Sequence, residues 1–242
     1  MNDLGLIKKY VPKELQDKAI KKLNTGYPVQ YIIGNVEFYG NVINVDENVL
    51  IPRFETEFLV DKTINYFKKL NINNPEVLEI GTGSGCISIA LNKVIKGNIL
   101  AIDISKKAIE LAKKNASMNK ASLSFEIADI NTFYTDKKFD LIISNPPYVP
   151  FNSEVDEKIK YEPQNAIYAE DNGIYFYKII LNRLKKNLKE DYLIAFEIGD
   201  KQGNLIKKIV NNCLTNAYIL IEKDYNNFER YVFITNKKEI FE

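Results

Sequence analysis

The sequence predicts an α/β fold, a mostly parallel sheet of seven strands with helices on both faces. Two observations lead there. From residue 76 onward, short apolar runs of strand type alternate with amphipathic segments of helical period. Repeated strand–helix units pair their strands in parallel and cover both faces of the sheet with the intervening helices. The last two strands, near 217–222 and 229–235, are joined by a link too short for a crossover helix, so they should pair antiparallel.

Taken in order, residues 1 to about 26 read as helical and amphipathic. Leu15, Ala19 and Leu23 recur every four residues, and Asn24-Thr25-Gly26 is a stop signal. Residues 36–51 read as extended, with a hairpin suggested at Gly40-Asn41 between Val36–Tyr39 and Val42–Val45. Ile51 to Glu57 leads into a helix carrying Leu59, Phe67 and Leu70. Then come strand Val77–Ile80, a helix with Ile87, Ile89, Ala90, Leu91 and Val94, strand Ile99–Ile102, and a helix from about Ser105 to Met118. Strands at 123–127 and 139–144 follow, then a polar loop, a long helix at about 173–188, strand 192–198 and helix 201–213.

Composition narrows the function. Lys and Arg total 33 against 32 for Asp and Glu, a net charge of +1, which gives no electrostatic case for general nucleic-acid or membrane binding. Two cysteines, Cys86 and Cys213, are too few for a disulfide framework. The chain opens with no signal-peptide pattern and holds no apolar run of about 20 residues, so a cytoplasmic setting is expected. There is no histidine at all. Ser-His-Asp hydrolysis, Cys-His chemistry and ordinary zinc sites fall away, and no metal is expected. Catalysis must run on positioning, carboxylates, hydroxyls, amides or a cofactor.

Three motifs carry chemistry. Glu79-Ile80-Gly81-Thr82-Gly83-Ser84-Gly85 follows the first strand of the alternation and precedes a helix. Ligands of open α/β sheets bind at the carboxyl ends of strands, and a helix N-terminus there suits a carboxylate such as that of S-adenosylmethionine. The spacing is G-x-G-x-G, whereas a dinucleotide fingerprint wants glycine at position 86, where this chain has Cys86. A tight turn without a ligand is the bland alternative. Asp103 ends the next strand, about where a carboxylate can accept from ribose hydroxyls; its alternative is a helix cap, for which Ser105 is better placed. Asp129, after the third strand, is a weaker candidate for an adenine amino group, because Asp is common in turns.

The third motif, Asn145-Pro146-Pro147-Tyr148, directly follows strand Asp140–Ser144. Two prolines stiffen the loop, so that the Asn side-chain oxygen and a backbone carbonyl point in fixed directions. Two such acceptors suit an amide or aromatic amino nitrogen, whose lone pair is delocalised. They hold both N–H bonds and turn the out-of-plane face toward a methyl donor. Positive charge grows on the nitrogen during transfer and strengthens both bonds. Tyr148 can stack on the planar group.

Together these motifs resemble the HemK/PrmC family, the protein-glutamine methyltransferases of class 1 peptide chain release factors. The resemblance runs from about residue 28 to the C-terminus. It includes Pro28–Gly34, Phe38-Tyr39-Gly40, Val49–Arg53, Glu55-Thr56-Glu57, Glu79–Gly85, Asn145–Tyr148, Glu197-Ile198-Gly199, Gln202-Gly203, and Asp224 with Arg230. It implies a seven-stranded, Rossmann-like sheet, with S-adenosylmethionine as cofactor. Gly81, Thr82, Gly83, Ser84, Gly85, Asp103, Ile104, Asp129, Ile130 and Asn145 would line its site. Asn145, Pro146, Pro147 and Tyr148 would bind the glutamine of a Gly-Gly-Gln motif, with Asn145, Pro146 and Tyr148 carrying catalysis. The implied partner is a release factor, with no direct nucleic-acid partner and no membrane. The expected organisation is a short, truncated helical segment over 1–27, a linker with a hairpin over 28–54, and the methyltransferase domain over 55–242. Family members usually carry several more helices before the Pro28 segment, and Phe54 stands where they usually have proline.

Other residues have paired readings. Arg53, Glu55 and Glu57 could order the substrate loop or form an ion-paired helix start. Glu197 reads as an acceptor behind the site or as a solvated strand end, and Cys86 as a packing residue rather than a nucleophile. Ile174–Tyr177 reads as a helix core face, and Arg183, Lys185, Lys186 and Lys189 as a solvated helix face. The rival functions are glutamine methylation of a ribosomal protein, adenine methylation on nucleic acid, and cofactor-fold binding without catalysis. A dehydrogenase ranks last among the rivals, because the glycine spacing weighs against it.

Overall fold

Hydrophobic period and turn chemistry set each element of the computed structural model, which describes residues 2–242, the side chain of Lys158 excepted. The N-terminal segment over 3–23 forms two helices, not one: α1 (Asp3–Tyr10) and α2 (Lys13–Leu23). Pro12 lacks an N–H and cannot continue α1, but it serves well ahead of the first turn of α2. The stripe expected on this segment is corrected accordingly. Ala19 is buried and Leu23 half-buried, but Leu15 is 50% exposed, and Ile7 of α1 is the fully buried centre. Ile7 and Ala19 pack with Val29 of the short α3 (Val29–Ile33).

Strands β1 (Asn35–Phe38) and β2 (Asn41–Asn44) make the hairpin, with the turn one residue earlier than the sequence suggested. Phe38 pairs with Asn41, so Tyr39 and Gly40 are the two turn residues, both at positive φ (48° and 67°). That is the geometry which matches the strands' twist. Asn41 is buried and donates to the carbonyls of Phe38 and Tyr39, so it stabilises the turn from inside the first strand pair.

The strand–helix alternation follows: α4 (Phe54–Lys69), β3 (Glu76–Ile80), α5 (Cys86–Val94), β4 (Asn98–Asp103), α6 (Lys106–Met118), β5 (Ser124–Ile127) and β6 (Phe139–Ser144). The loop after β6 carries a two-residue parallel bridge, β7 (Val149–Pro150) with β8 (Tyr168–Ala169), which the sequence did not suggest. Then come α7 (Tyr175–Leu184), β9 (Leu188–Glu197), α8 (Gly203–Cys213), β10 (Tyr218–Lys223) and β11 (Glu229–Thr235). Helix α7 is shorter than expected at both ends, because Asp171–Gly173 and Lys185–Asn187 are separate 3₁₀ turns, and β9 starts correspondingly early.

Seven strands form one sheet in the order β10-β11-β9-β6-β3-β4-β5. All neighbours are parallel except β11, which runs antiparallel to both β9 and β10. Alternate residues of the strands feed two cores. Val77, Leu141, Ile143, Leu193 and Phe233 pack under α4, α5, α6 and the β1–β2 hairpin. Leu78, Ile142, Ile194, Phe196 and Val232 pack under α7 and α8. No helix among the described residues is long and apolar enough to cross a membrane.

One buried side chain ties the hairpin to this sheet. Asn115 of α6 is fully buried; it accepts from the Asn44 amide at 2.9 Å and donates to the carbonyls of Asn44 (3.0 Å) and Ser84 (2.9 Å). Asn115→Ala strands three backbone groups and should cost about 3 kcal/mol of unfolding free energy in a urea titration, since each orphaned buried group costs about 1–3 kcal/mol. A loss below about 0.5 kcal/mol would show the hairpin to be held by apolar contacts alone.

Candidate active site

The sheet order reverses direction at β3: the chain moves outward to β4 and β5, then crosses back to β6 on the other side. Ligands of open α/β sheets sit at such a switch point, outside the carboxyl ends of the strands. A cavity of about 220 Å³ opens there. Because Ile80 of β3 is level with Ser144 of β6, Gly81 and Asn145 leave the sheet side by side and both reach the cavity wall.

The glycine loop is shaped by its own hydrogen bonds. The amides of Gly81 and Thr82 donate to the Ile102 carbonyl of the neighbouring strand, and the Gly83 amide donates to Asp103 Oδ2 at 2.8 Å. Gly81 and Gly83 have positive φ and open space where a Cβ would stand, so backbone rather than side chain faces the cavity. Gly85 serves helix packing instead: a Cβ there would lie 3.1 Å from Ala112 Cβ of α6. Thr82 and Ser84 are buried away from the cavity, Thr82 donating to Glu79 Oε2 at 2.8 Å.

Of the residues singled out by sequence, Gly81, Gly83, Asp103, Ile104, Asp129, Ile130, Asn145 and Pro146 line the cavity. Thr82, Ser84, Gly85, Pro147 and Tyr148 do not. Asp103 Oδ1 accepts from the Ser105 amide, while Ser105 itself caps α6 by accepting from Ala108. Burial raises the Asp103 carboxyl above its ordinary value, against the lowering by its bonds from Ser105 and Gly83. Asp129 Oδ1 accepts from both nitrogens of Asn131, so the turn reading and the cavity position hold together.

The Asn145–Tyr148 loop rests on buried polar partners. Asn145 Nδ2 donates to Thr56 Oγ1 at 3.1 Å, and Thr56 Oγ1 donates to Glu197 Oε2 at 2.7 Å. The Tyr148 hydroxyl donates to Glu197 Oε1 at 3.3 Å, and the Tyr148 carbonyl accepts from Gln202 at 2.9 Å. Gly173 leaves room for that carbonyl, since a Cβ there would come within 2.0 Å of it. Glu197 is 1% exposed, which removes the solvated-end reading. Burial pushes its carboxyl up to about 7, opposed by the bonds from Thr56 and Tyr148 and by the charge of Arg230.

Sequence reasoning missed the roof and one wall of the cavity. Val49 and Leu50 of the linker, and Pro163, Asn165 and Ala166 of the long loop, all line it. Arg53 binds Glu162 at 2.5 Å, and Glu162 Oε2 accepts from the Ile51 amide at 3.0 Å, so one buried carboxylate fastens the loop to the linker. Nothing in the sequence links residues more than 100 apart, although the charge pattern at Arg53 was a signal. Phe176 lines the cavity while Ile174 and Tyr177 beside it are core, so only part of that stretch is a core face. The basic cluster divides too: Lys189 lies in β9 and pairs with buried Asp140, and Arg183 donates to the Phe133 carbonyl. Cys86 is buried, and its thiol is pushed up to about 12, chiefly by burial, so it is no nucleophile.

The walls fit one ligand chemistry. Bare backbone at Gly81 and Gly83 suits a carboxylate-bearing chain, Asp103 and Asp129 suit hydroxyl and amino donors, and Ile104, Ile130 and Phe176 suit a flat apolar base. An amino acid joined to a nucleoside meets all three. Fold and site define a methyltransferase that uses S-adenosylmethionine. The chain matches a methyltransferase-domain family over residues 73–238. The fold is shared with a methyltransferase from Pyrococcus furiosus (TM-score 0.61, 18% identity, 92% of this chain and 95% of that one). It is shared also with the human methyltransferase 10 domain containing protein (TM-score 0.58, 19% identity, 81% and 89%). Sequence similarity goes further. A release factor glutamine methyltransferase of Lactococcus lactis is 38% identical over 225 residues, covering 91% of this chain and 82% of the relative. Another, from Fusobacterium nucleatum, is 37% identical and covers 98% and 68%. A third, from Mycoplasma mycoides, is 33% identical and covers 97% and 84%. The chain belongs to the release factor glutamine methyltransferase family.

Glu79, at the root of the glycine loop, gives a test of this electrostatic picture. It is 1% exposed and accepts from Thr82 and from both the amide and the hydroxyl of Ser88. Burial raises it to about 7 despite those bonds. A carboxyl raised on folding stabilises fully below its ordinary value, and that contribution is lost as pH rises through about 7. The Tm of wild type relative to Glu79→Gln should therefore rise on going from pH 8 to pH 5.5. An unchanged difference would place the Glu79 titration outside that window.

Proposed function

We propose that the protein transfers the methyl group of S-adenosylmethionine to the side-chain amide nitrogen of the glutamine in the Gly-Gly-Gln motif of class 1 peptide chain release factors. The observation that carries this reading is the placing of Asn145 and Pro146 on the wall of the cofactor cavity, level with Gly81. The cofactor supplies an electrophilic methyl on its sulfonium. The chain supplies two acceptors for the target N–H bonds, Asn145 Oδ1 and the Pro146 carbonyl. They hold the amide plane edge-on to themselves and its face toward the methyl. As charge develops on nitrogen, both bonds tighten, which favours the transition state over the ground state. No general base is needed, because the proton becomes acidic only once the methyl has arrived.

The remaining roles follow from position. Gly81 and Gly83 hold the amino-acid end of the cofactor, Asp103 its ribose, and Asp129 and Ile130 its adenine, with Ile104 covering the open side. Thr82, Ser84 and Gly85 shape the loop from beneath. Tyr148 acts through its hydroxyl and carbonyl, which fix the Pro147 segment. Residues 55–242 form the catalytic unit, 28–54 the linker whose Val49 and Leu50 line the cavity, and α1 and α2 a small helical unit beside the linker that meets a protein substrate in the cytoplasm.

Methyl transfer from labelled S-adenosylmethionine to purified release factor tests the reading. Gln→Ala in the Gly-Gly-Gln motif is the control, with ribosomal protein and DNA in parallel. Label on the release factor that vanishes with the control is expected; label only on ribosomal protein or DNA would overturn the substrate. Asn145→Ala should lower turnover by about a hundredfold or more, the scale of one lost transition-state hydrogen bond, with the cofactor Kd little changed. Asp103→Ala should weaken cofactor binding about tenfold in calorimetry, and an unaltered isotherm would remove Asp103 from the ribose.

A further inference from the structure

Asparagine presents two faces to a ligand, an acceptor oxygen and a donor NH₂, nearly identical in shape. Only the oxygen can receive a target N–H; the NH₂ would repel it. Something must fix which one meets the substrate. Asn145 Nδ2 points to Thr56 Oγ1 (3.1 Å), on the first turn of α4, and Thr56 Oγ1 points to Glu197 Oε2 (2.7 Å), at the end of β9. Thr56 is 3% exposed and Glu197 1%, so no solvent competes. An ionised carboxylate only accepts. The Thr56 proton is therefore spent on Glu197, and the lone pairs of Thr56 are left to accept from Asn145. The bond directions run one way, from amide to hydroxyl to carboxylate.

We propose that Thr56 and Glu197 are positioning residues that set the polarity of Asn145, holding its NH₂ inward so that Oδ1 alone faces the substrate nitrogen. The device selects a substrate that brings N–H donors, such as a primary amide, and rejects a carboxylate of the same shape. A proton on Glu197 reverses it. Glu197 then donates to Thr56, Thr56 can donate to Asn145 Oδ1, and the amide turns over to show its NH₂ to the cavity. Glu197 is raised to about 7, first by burial and further by Glu55 of α4, against Thr56, Arg230 of β11 and Tyr148. Tyr177 of α7 donates to its carbonyl, Tyr231 of β11 stands level with it, and Asp224 pairs with Arg230.

This inference rests on Asn145 as acceptor for the target amide, so the test has one readout with substrate and one without. In steady-state methylation, Thr56→Val should lower kcat about tenfold or more, with KM for the cofactor little changed, and Thr56→Ser should restore it. Wild-type kcat should fall as pH drops through about 7, and Glu197→Gln, with no charge to lose, should show a lower but level profile over that range. Glu197→Gln also serves if Thr56→Val does not fold. Without substrate, the ¹⁵N–¹H signals of the Asn145 side-chain amide, assigned by their loss in Asn145→Asp, should show one exchange-protected proton at pH 8. That protection should persist in Thr56→Ser and disappear in Thr56→Val and at pH 6. Equal protection in Thr56→Val, or a kcat unaffected by it, overturns the proposal. Protection that behaves as described in a protein that leaves the release factor unlabelled supports the polarity device and overturns the substrate instead.

Discussion

The register of β3 against β6 is the constraint on which the site depends. Ile80 stands opposite Ser144, and the Ser144 hydroxyl donates to the Ile80 carbonyl at 2.7 Å, closing the ladder at its last rung. Every residue of β6 is buried, Leu141 and Ile143 toward one helical layer and Ile142 toward the other. A slip of one residue would exchange those faces and set both cores against the wrong helices. The packing of the whole domain thus enforces an alignment that only the loops use. Gly81 and Asn145 inherit it and reach the same cavity wall from adjacent strand ends.

Two buried carboxylates extend that alignment into the loops. Glu79 ends β3 by one residue and Glu197 ends β9, on either side of β6. Burying a carboxylate is costly unless its lone pairs are filled. Glu79 fills Oε2 with Thr82 and Ser88, which hold the glycine loop and the first turn of α5, while its Oε1 has no hydrogen-bond partner among the described residues. Glu197 takes Thr56 and Tyr148, which hold the first turn of α4 and the end of the Asn145 loop. Each therefore joins a strand end to one loop and one helix start. Apolar residues of similar volume at both positions would fill the space but leave five donors without these partners. The same logic operates at Glu162, which joins the linker to the roof through Arg53 and the Ile51 amide.

What the sequence disclosed follows from the range of the forces involved. Strand and helix order from residue 76 was legible because it is written in local period, and the antiparallel end because a short link forbids a crossover. The cavity-facing glycines, Asp103 and Asn145 were legible because strand ends in a parallel sheet meet at one edge. The break at Pro12 was written locally and overlooked, since Ile7 and Leu15 lie on either side of it and only one is buried. The partnership of Thr56 with Glu197 spans 141 positions, and that of Arg53 with Glu162 spans 109; no local pattern encodes either. Thr82 and Ser84 share a motif with Gly81 and Gly83 yet face inward, because a loop that alternates φ sign turns neighbouring residues to opposite sides, while Gly85 is turned inward by its close approach to Ala112 of α6.

A chain without histidine has no side chain whose ordinary pKa lies near neutrality. Burial supplies two. Burial pushes Glu79 and Glu197 both up to about 7, and each accepts from a loop that reaches the cavity. Neither touches the cavity, so neither exchanges a proton with substrate. Each acts instead through the donors it holds, Thr82 and Ser88 for Glu79, Thr56 and Tyr148 for Glu197. Methylation of an amide nitrogen asks for no proton at the moment of attack, only for a nitrogen held at the right angle by acceptors of the right polarity. The pH response of such a site then reports on the scaffold that orients the acceptors, and the same two carboxylates that cost the fold stability at high pH are the ones that keep its loops in place there.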